Sequence, residues 1–400
     1  MTSRSGRGPV IAVLADDLTS AGDGAAPFRR TGHDARILFR LPAAPAAAAG
    51  PPGGVTAIDL GTRVADERTA VARMREAAHR YAGADLLLKT VDSTLRGHVA
   101  AEIRAARSGS GRRAVIVAPA FPAEGRVTVG GVQYVRGVPV HESEFARDPA
   151  HPVRCSDLAG LLPEAVPADP DRVAELPRLT GAGAVVAYSA RQDADLDRLV
   201  ESVPRPEEVL WVGSPGLAAA LARHCARAAV APPPVPGPAR RTLVVVGSAN
   251  PATRRQLAVL RARVDVRTVT ATDDPAATVA DLGAATAPVL VLHTPDERRP
   301  RDAARALGRA MADAVRKLAE EDRIDALVLT GGETAAEVLD ALGALGVTGI
   351  SLADEPEPGV ARGTLLGGRT ALPVLVKAGG FGDDTTLVRL CRLVRQQGDA

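Results

Sequence analysis

The sequence predicts an α/β protein of two domains, each a mostly parallel sheet flanked by helices. Three observations predict it. Short apolar runs alternate with longer amphipathic stretches along the chain, the pattern of parallel strands joined by crossover helices. The chain has 400 residues, beyond the roughly 250–300 at which a single core stops growing. And Ala231–Ala239 reads Ala-Pro-Pro-Pro-Val-Pro-Gly-Pro-Ala, a proline density that forbids a helix and favours a semi-rigid linker. The expected division is residues 1–230, a linker at 231–240, and residues 241–400.

In the first domain, strands are expected at Val10–Leu14, Ala35–Phe39, Val55–Asp59, Asp85–Lys89, Ala114–Ala118, Ala184–Tyr188 and Val209–Val212. Amphipathic stretches such as Glu67–Tyr81 and Asp193–Ser202 lie between them as helices. Val132–Val140 breaks the pattern and reads as a β-hairpin turning at Arg136-Gly137, a candidate arm for a homodimer. The Pro/Ala/Gly-rich stretch Leu41–Gly54 reads as a surface loop. In the second domain, strands are expected at Thr242–Val246, Val264–Val269, Val289–His293, Ala326–Thr330, Gly349–Leu352 and Val374–Lys377.

Composition excludes several classes. A formal net charge of +2 and 2% aromatic residues argue against nucleic acid as a partner. No uncharged apolar stretch reaches the length of a membrane span, and Asp16-Asp17 cut short the one apolar run near the start, so neither a membrane anchor nor a signal peptide is expected. Cys155, Cys225 and Cys391 are odd in number and far apart, which argues against a disulfide framework or zinc site and fits the cytoplasm. Basic charge is almost all arginine. The only lysines are Lys89, Lys317 and Lys377, and a lysine surviving such a bias points to a site that needs a compact ammonium.

In open α/β sheets, ligands bind beyond the carboxyl ends of strands. The first strand ends at Asp16-Asp17-Leu-Thr-Ser20, two carboxylates that can accept a hydroxyl proton, hold a metal or cap the following helix. The third ends at Asp59-Leu-Gly-Thr-Arg63, and an arginine there can fork a carboxylate. The fourth runs into Lys89-Thr-Val-Asp92-Ser93-Thr94-Leu95-Arg96-Gly97. That mixture suits a polyhydroxylated anion: Lys89 and Arg96 for its charge, Asp92, Ser93 and Thr94 for its hydroxyls. In the second domain, three strand ends carry glycine turns: Gly247-Ser248, Gly331-Gly332-Glu333-Thr334, and Gly379-Gly380 just after Lys377. Together they fit a nucleotide-phosphate pocket. Known alternatives fail on spacing: there is no Gly-x-x-x-x-Gly-Lys-Ser/Thr, no Gly-x-Gly-x-x-Gly after a strand and no Gly-x-Ser-x-Gly, and the first-strand aspartates are adjacent rather than Asp-x-Asp.

Taken together, Ile11–Gly24, Lys89–Gly97, Ala118–Gly131, Glu144–Pro149, Gly247–Gln256, Thr330–Thr334 and Lys377–Asp383 resemble the four-carbon acid sugar kinase family, in its order and over nearly the whole chain. The resemblance implies an ATP- and Mg2+-dependent kinase of threonate, erythronate or a 3-oxo-tetronate, acting on the terminal hydroxyl, with the ligand cleft between the two domains. It implies sugar-acid contacts at Asp17 or Asp16, Arg63 and Asp92–Leu95, and ATP contacts at Ser248, Gly331–Thr334 and Gly379. Asp17 and Asp92 are the candidate proton acceptors, and Lys377 and Gly380 join the phosphate group. The run Gly130–Tyr134 with Glu144–Pro149 looks more like the threonate and erythronate kinases. Ser20 and Ser189 stand where the family often has Gly and Asp.

Overall fold

The computed structural model describes residues 8–41, 53–148, 151–227, 238–263, 265–297, 300–368 and 371–395. The chain forms two compact units, Met1–Ala231 and Pro232–Ala400. The prolines at 231–237 and most of the Leu41–Gly54 loop lie outside the described residues.

In the first unit the strands are β1 (Ile11–Ala15), β2 (Ala35–Leu38), β3 (Val55–Asp59), β4 (Leu86–Thr90), β5 (Ala114–Ala118), β6 (Arg126–Val129), β7 (Val132–Val135), β8 (Val138–Pro139), β9 (Ala165–Ala168), β10 (Val185–Tyr188) and β11 (Val209–Gly213). Eight of them order as β2-β3-β1-β4-β11-β5-β10-β9, all parallel. Helices cover both faces, so the inner strands β1, β3, β4, β5, β10 and β11 are buried throughout and read as continuous apolar runs. Leu14, Ile58, Met74, Leu87, Val115 and Leu210 belong to one core cluster. β6, β7 and β8 form a separate antiparallel ribbon. The expected hairpin turn is there: Arg136 and Gly137 both take positive φ (48° and 82°), as a two-residue hairpin of this type requires.

Two strands of this unit go beyond the sequence reading. β6 is not among the expected strands, because it is only four residues long and lies between Gly125 and Gly130-Gly131. β9 contains Pro167 and sits at the sheet edge, where a missing N–H costs no ladder bond.

In the second unit the strands are β12 (Thr242–Val246), β13 (Val266–Thr270), β14 (Val289–His293), β15 (Ala326–Thr330), β16 (Val347–Glu357), β17 (Val360–Gly367) and β18 (Pro373–Lys377). They order as β13-β14-β12-β15-β18-β17-β16. The first five are parallel, and β17 runs antiparallel to both of its neighbours. Gly349–Leu352 is therefore only the middle of β16. Its partner β17 escapes periodicity because Arg362, Gly363 and Gly367 interrupt it. Val244, Val246, Leu257, Val291, Val328 and Leu375 form the core.

Candidate active site

In the first unit the carboxyl ends of β1, β3 and β4 converge. The loop after β3 is pinned to β1, with the Thr62 and Arg63 N–H groups donating to the Asp16 carbonyl at 2.8 and 3.0 Å. This brings the Arg63 guanidinium onto both aspartates. Its Nε donates to Asp16 Oδ2 at 2.8 Å and its Nη2 to Asp16 Oδ1 at 2.9 Å, a two-point fork. Its Nη1 pairs with Asp17 and its Nη2 also reaches Ser20 Oγ at 2.8 Å. Asp17 is the N-cap of helix Leu18–Arg30, accepting from Ser20 N at 2.7 Å. Burial works to raise the Asp16 pKa, but the charges of Arg63 and Lys89 outweigh it and hold the carboxyl low.

The β4 loop closes the other side. Asp92 accepts from Arg96 Nε at 2.5 Å and from the Thr94 hydroxyl. Burial pushes Asp92 up, yet Arg96, Arg63 and Thr94 bring it well below the usual carboxylate range. Arg96 also reaches Asp148 at 3.4 Å and lies 5.3 Å over the Phe145 ring. Its Nη2 takes part in no hydrogen bond among the described residues. Gly97 (φ 92°) approaches Asp16 so closely that an added Cβ would stand 3.3 Å from Oδ2. The ribbon buttresses this loop: Arg126 donates to Ser93 Oγ at 2.6 Å and Gln133 Nε2 to the Ser93 carbonyl at 2.8 Å.

Two expectations change here. Lys89 was expected to meet the negative charge of a ligand. Its Nζ lies instead 2.6 Å from Glu102 Oε2, with both side chains 1% exposed. A buried ammonium needs a buried counter-charge, and Glu102, on the next helix (Val99–Ser110), provides it. Leu95 was expected to contact ligand. Its side chain packs with Val135, Val140, Val153 and Leu158, and its φ of 61° makes it the turn residue of the loop. The Arg96–Asp92 pair bears on Asp92 as a proton acceptor: a carboxylate this strongly held by arginine is a weak base.

Asp59 is a residue the sequence reading passed over. It ends β3, is 5% exposed, and accepts from Gly61 N at 2.8 Å through Oδ1. Burial, then the charge of Asp17, raises its pKa to about 7. Its place at a strand end was visible, but its burial and the Asp17 charge that comes from beyond β1 were not.

In the second unit the ends of β12, β15 and β18 meet at their glycine turns. The Gly247 N–H donates to the Thr330 carbonyl and the Gly331 N–H to that of Lys377, each at 3.2 Å. Gly331 (φ 95°) is the N-cap of helix Gly332–Leu342, whose first N–H groups are unpaired by geometry. A Cβ on Gly331 would stand 3.1 Å from Ser248 N, one on Gly379 would strike Ser248 Oγ, and one on Gly247 would strike Thr334 Oγ1. Thr253 Oγ1 donates to the Gly379 carbonyl at 2.6 Å. The Thr330 hydroxyl is buried without a partner among the described residues.

Lys377 is fully buried and donates to the Ala378 carbonyl at 2.8 Å. Burial lowers its pKa to about 8, against the charge of Glu357. Gly380 and Glu333 are exposed at the rim. So Ser248, Gly331, Gly332, Thr334, Lys377 and Gly379 lie together, in a cradle of backbone N–H groups that side chains would fill. That fits a nucleotide's phosphates. Among the described residues no three His, Cys, Asp or Glu side chains cluster to hold a metal. Mg2+ needs only one or two carboxylates when phosphates supply the rest, and Glu333, in the first turn of helix Gly332–Leu342, is a carboxylate at the cradle's rim.

Known proteins resemble this chain along its length. A sugar-binding N-terminal domain family matches residues 11–221, and a nucleotide-binding C-terminal domain family matches residues 243–387. A D-threonate kinase of Bordetella bronchiseptica is 38% identical over 98% of each chain. A D-threonate kinase of Cupriavidus necator is 35% identical over 94% of this chain and 95% of its own. The crystal structure of a Haemophilus influenzae protein shares the fold at a TM-score of 0.73, with 20% identity, over 96% of this chain and 100% of the other.

Proposed function

The chain belongs to the four-carbon acid sugar kinase family, and from that membership we propose that it phosphorylates D-threonate at the terminal C4 hydroxyl, with ATP as donor and Mg2+ as its companion. It is a phosphotransferase acting on an alcohol group of a four-carbon acid sugar. The observation that carries the choice of site is the pair of preset arginines: Arg63, oriented by Asp16 from the neighbouring strand end, and Arg96, oriented by Asp92 of its own loop. Such a set offers donors for a carboxylate and acceptors for hydroxyls within one pocket.

Phosphoryl transfer is dominated by positioning and charge stabilisation. ATP supplies the phosphoryl group, and Mg2+ spreads the charge of its phosphate oxygens. Arg96 Nη2 takes the acid carboxylate, while Asp16 keeps Arg63 in place beside it. Asp17 and Asp92, with Ser93 and Thr94, hold the hydroxyls and orient the one that attacks. The N–H groups of Gly331–Thr334 and Gly379, with Ser248 and the Lys377 ammonium, receive the phosphates; Glu333 is the carboxylate for the metal. The cytoplasm suits this reading: Cys155, Cys225 and Cys391 are free thiols, and among the described residues no helix is long and apolar enough to cross a membrane.

A coupled ADP-release assay over D-threonate, D-erythronate and 3-oxo-tetronate tests the reading. The highest kcat/KM is expected for D-threonate. Higher turnover on another acid would move the substrate within the family. Acid binding by calorimetry without ADP release from any of them would overturn the reading in favour of a sugar-acid sensor.

A further inference from the structure

We infer that Asp59 receives the proton of the acceptor hydroxyl. The inference rests on the kinase reading and assigns a role that Asp17 and Asp92 are poorly placed to fill. Both Asp17 oxygens are engaged, Oδ1 by Ser20 N and the Thr19 hydroxyl and Oδ2 by Arg63. Asp92 Oδ2 carries Thr94 and Arg96. Asp16 is forked by Arg63. A carboxylate locked to an arginine holds a hydroxyl well and accepts its proton badly, because the ion pair favours the charged form.

Asp59 differs from all three in having no ion pair to an arginine among the described residues. It stands at the carboxyl end of β3, directly beside β1, with Ala15 as its register partner. The Gly61 N–H fixes Oδ1, and Oδ2 has no hydrogen-bond partner among the described residues. Asp17 and Asp16 act on it from just beyond β1, and Arg63 from its own loop. Arg73, on helix Glu67–Arg80, spends its guanidinium on the Leu60 and Gly61 carbonyls of the same turn. Asp59 is thus a buried carboxylate with one oxygen fixed and one uncommitted, and its proton affinity matches neutral pH. In the step, the substrate O–H bond breaks and its proton passes to Asp59 Oδ2. The freed oxygen pair forms the new bond to the γ-phosphorus, and the P–O bond to ADP breaks with its electrons leaving on ADP. Water takes the proton after product leaves.

The test compares wild type, Asp59→Asn and Asp59→Glu by ADP release, with thermal melts to show that each is folded. Asp59→Asn should lose about 10²–10⁴-fold in kcat with KM for the acid nearly unchanged. The acid limb of wild-type kcat/KM, falling below pH 7, should vanish with it, and Asp59→Glu should restore part of the rate. A folded Asp59→Asn that keeps kcat within threefold, or that raises KM alone, overturns the assignment. Absence of ADP from the wild-type chain with every acid would instead sink the kinase reading itself.

Discussion

Lys89 and Glu102 form a closed ion pair, 2.6 Å from Nζ to Oε2 and 1% exposed on each side. Breaking one half leaves the other charge stranded in the core, at a cost of about 3–5 kcal/mol. Lys89→Met should therefore destabilise the chain strongly, and Lys89→Met with Glu102→Leu should recover most of the loss. The double variant should keep its KM for the acid within a few fold. A stable double variant that no longer binds the acid would return Lys89 to the ligand site.

The fork between Arg63 and Asp16 depends on planar, two-point geometry. A lysine offers charge without the fork. Arg63→Lys should fold, since Asp16 and Asp17 keep a cation between them, but it should raise KM for the acid by about tenfold or more, as loss of one charge-assisted hydrogen bond implies. ADP release at varied acid concentration measures it. An unchanged KM would place the acid away from Arg63.

Much of this site was legible in the sequence. The apolar runs located the parallel strands, and the rule that ligands sit at their carboxyl ends pointed to Asp16, Arg63, Asp92, Arg96, Ser248 and Gly331. What sequence spacing does not carry is who meets whom. Glu102 lies on a helix after the motif, so Lys89 read as a free cation. Asp59 ends a recognised strand, yet its proton affinity is set by burial and by the carboxylates that follow β1. Ser20 and Ser189 read as departures from the family pattern, and each has found a partner: Ser20 Oγ accepts from Arg63 and Ser189 Oγ from the Gly131 N–H at 3.0 Å. The β6 strand was hidden by its shortness between flanking glycines and β17 by the glycine and arginine within it, and tertiary pairing overrides local pattern.

The glycine cradle predicts a selective defect. Gly331 holds φ 95° against Ser248, and Gly379 faces the Ser248 hydroxyl. Gly331→Ala adds backbone strain of about 1–2 kcal/mol and puts a methyl into the space between backbone groups. Gly331→Ala and Gly379→Ala should weaken ATP binding at least tenfold while leaving acid binding by the first unit intact. Calorimetry with each ligand separates the two, and equal losses for both would mean general unfolding instead.

Lys377 predicts a pH dependence in nucleotide binding. Its ammonium is charged below about pH 8 and loses its proton above that value in the free protein. Phosphates favour the charged form, so ATP affinity should fall as pH rises through 8, with proton uptake on binding there. Lys377→Met should bind ATP more weakly at pH 7 and show a flat profile. Calorimetry in buffers of different ionisation enthalpy reads the proton directly. A wild-type profile as flat as the variant's would remove Lys377 from the phosphate contacts.

Asp59 should trade stability for its proton chemistry. In the folded chain it keeps its proton up to about pH 7, whereas an unfolded aspartate loses it near about 4. Between those values the folded state binds the extra proton, so stability falls as pH rises through that window, and above pH 7 the full cost of a buried charge is present. Asn keeps an oxygen for the Gly61 N–H and carries no charge. Asp59→Asn should therefore match wild type in melting at pH 4 and gain about 1–4 kcal/mol by pH 8, several degrees in Tm for a unit of this size. A gap in Tm that does not widen between pH 4 and 8 would show that Asp59 does not titrate in that range. A variant more stable than wild type yet slower is what a site-specific charge predicts, since a purely structural aspartate would lose stability on removal.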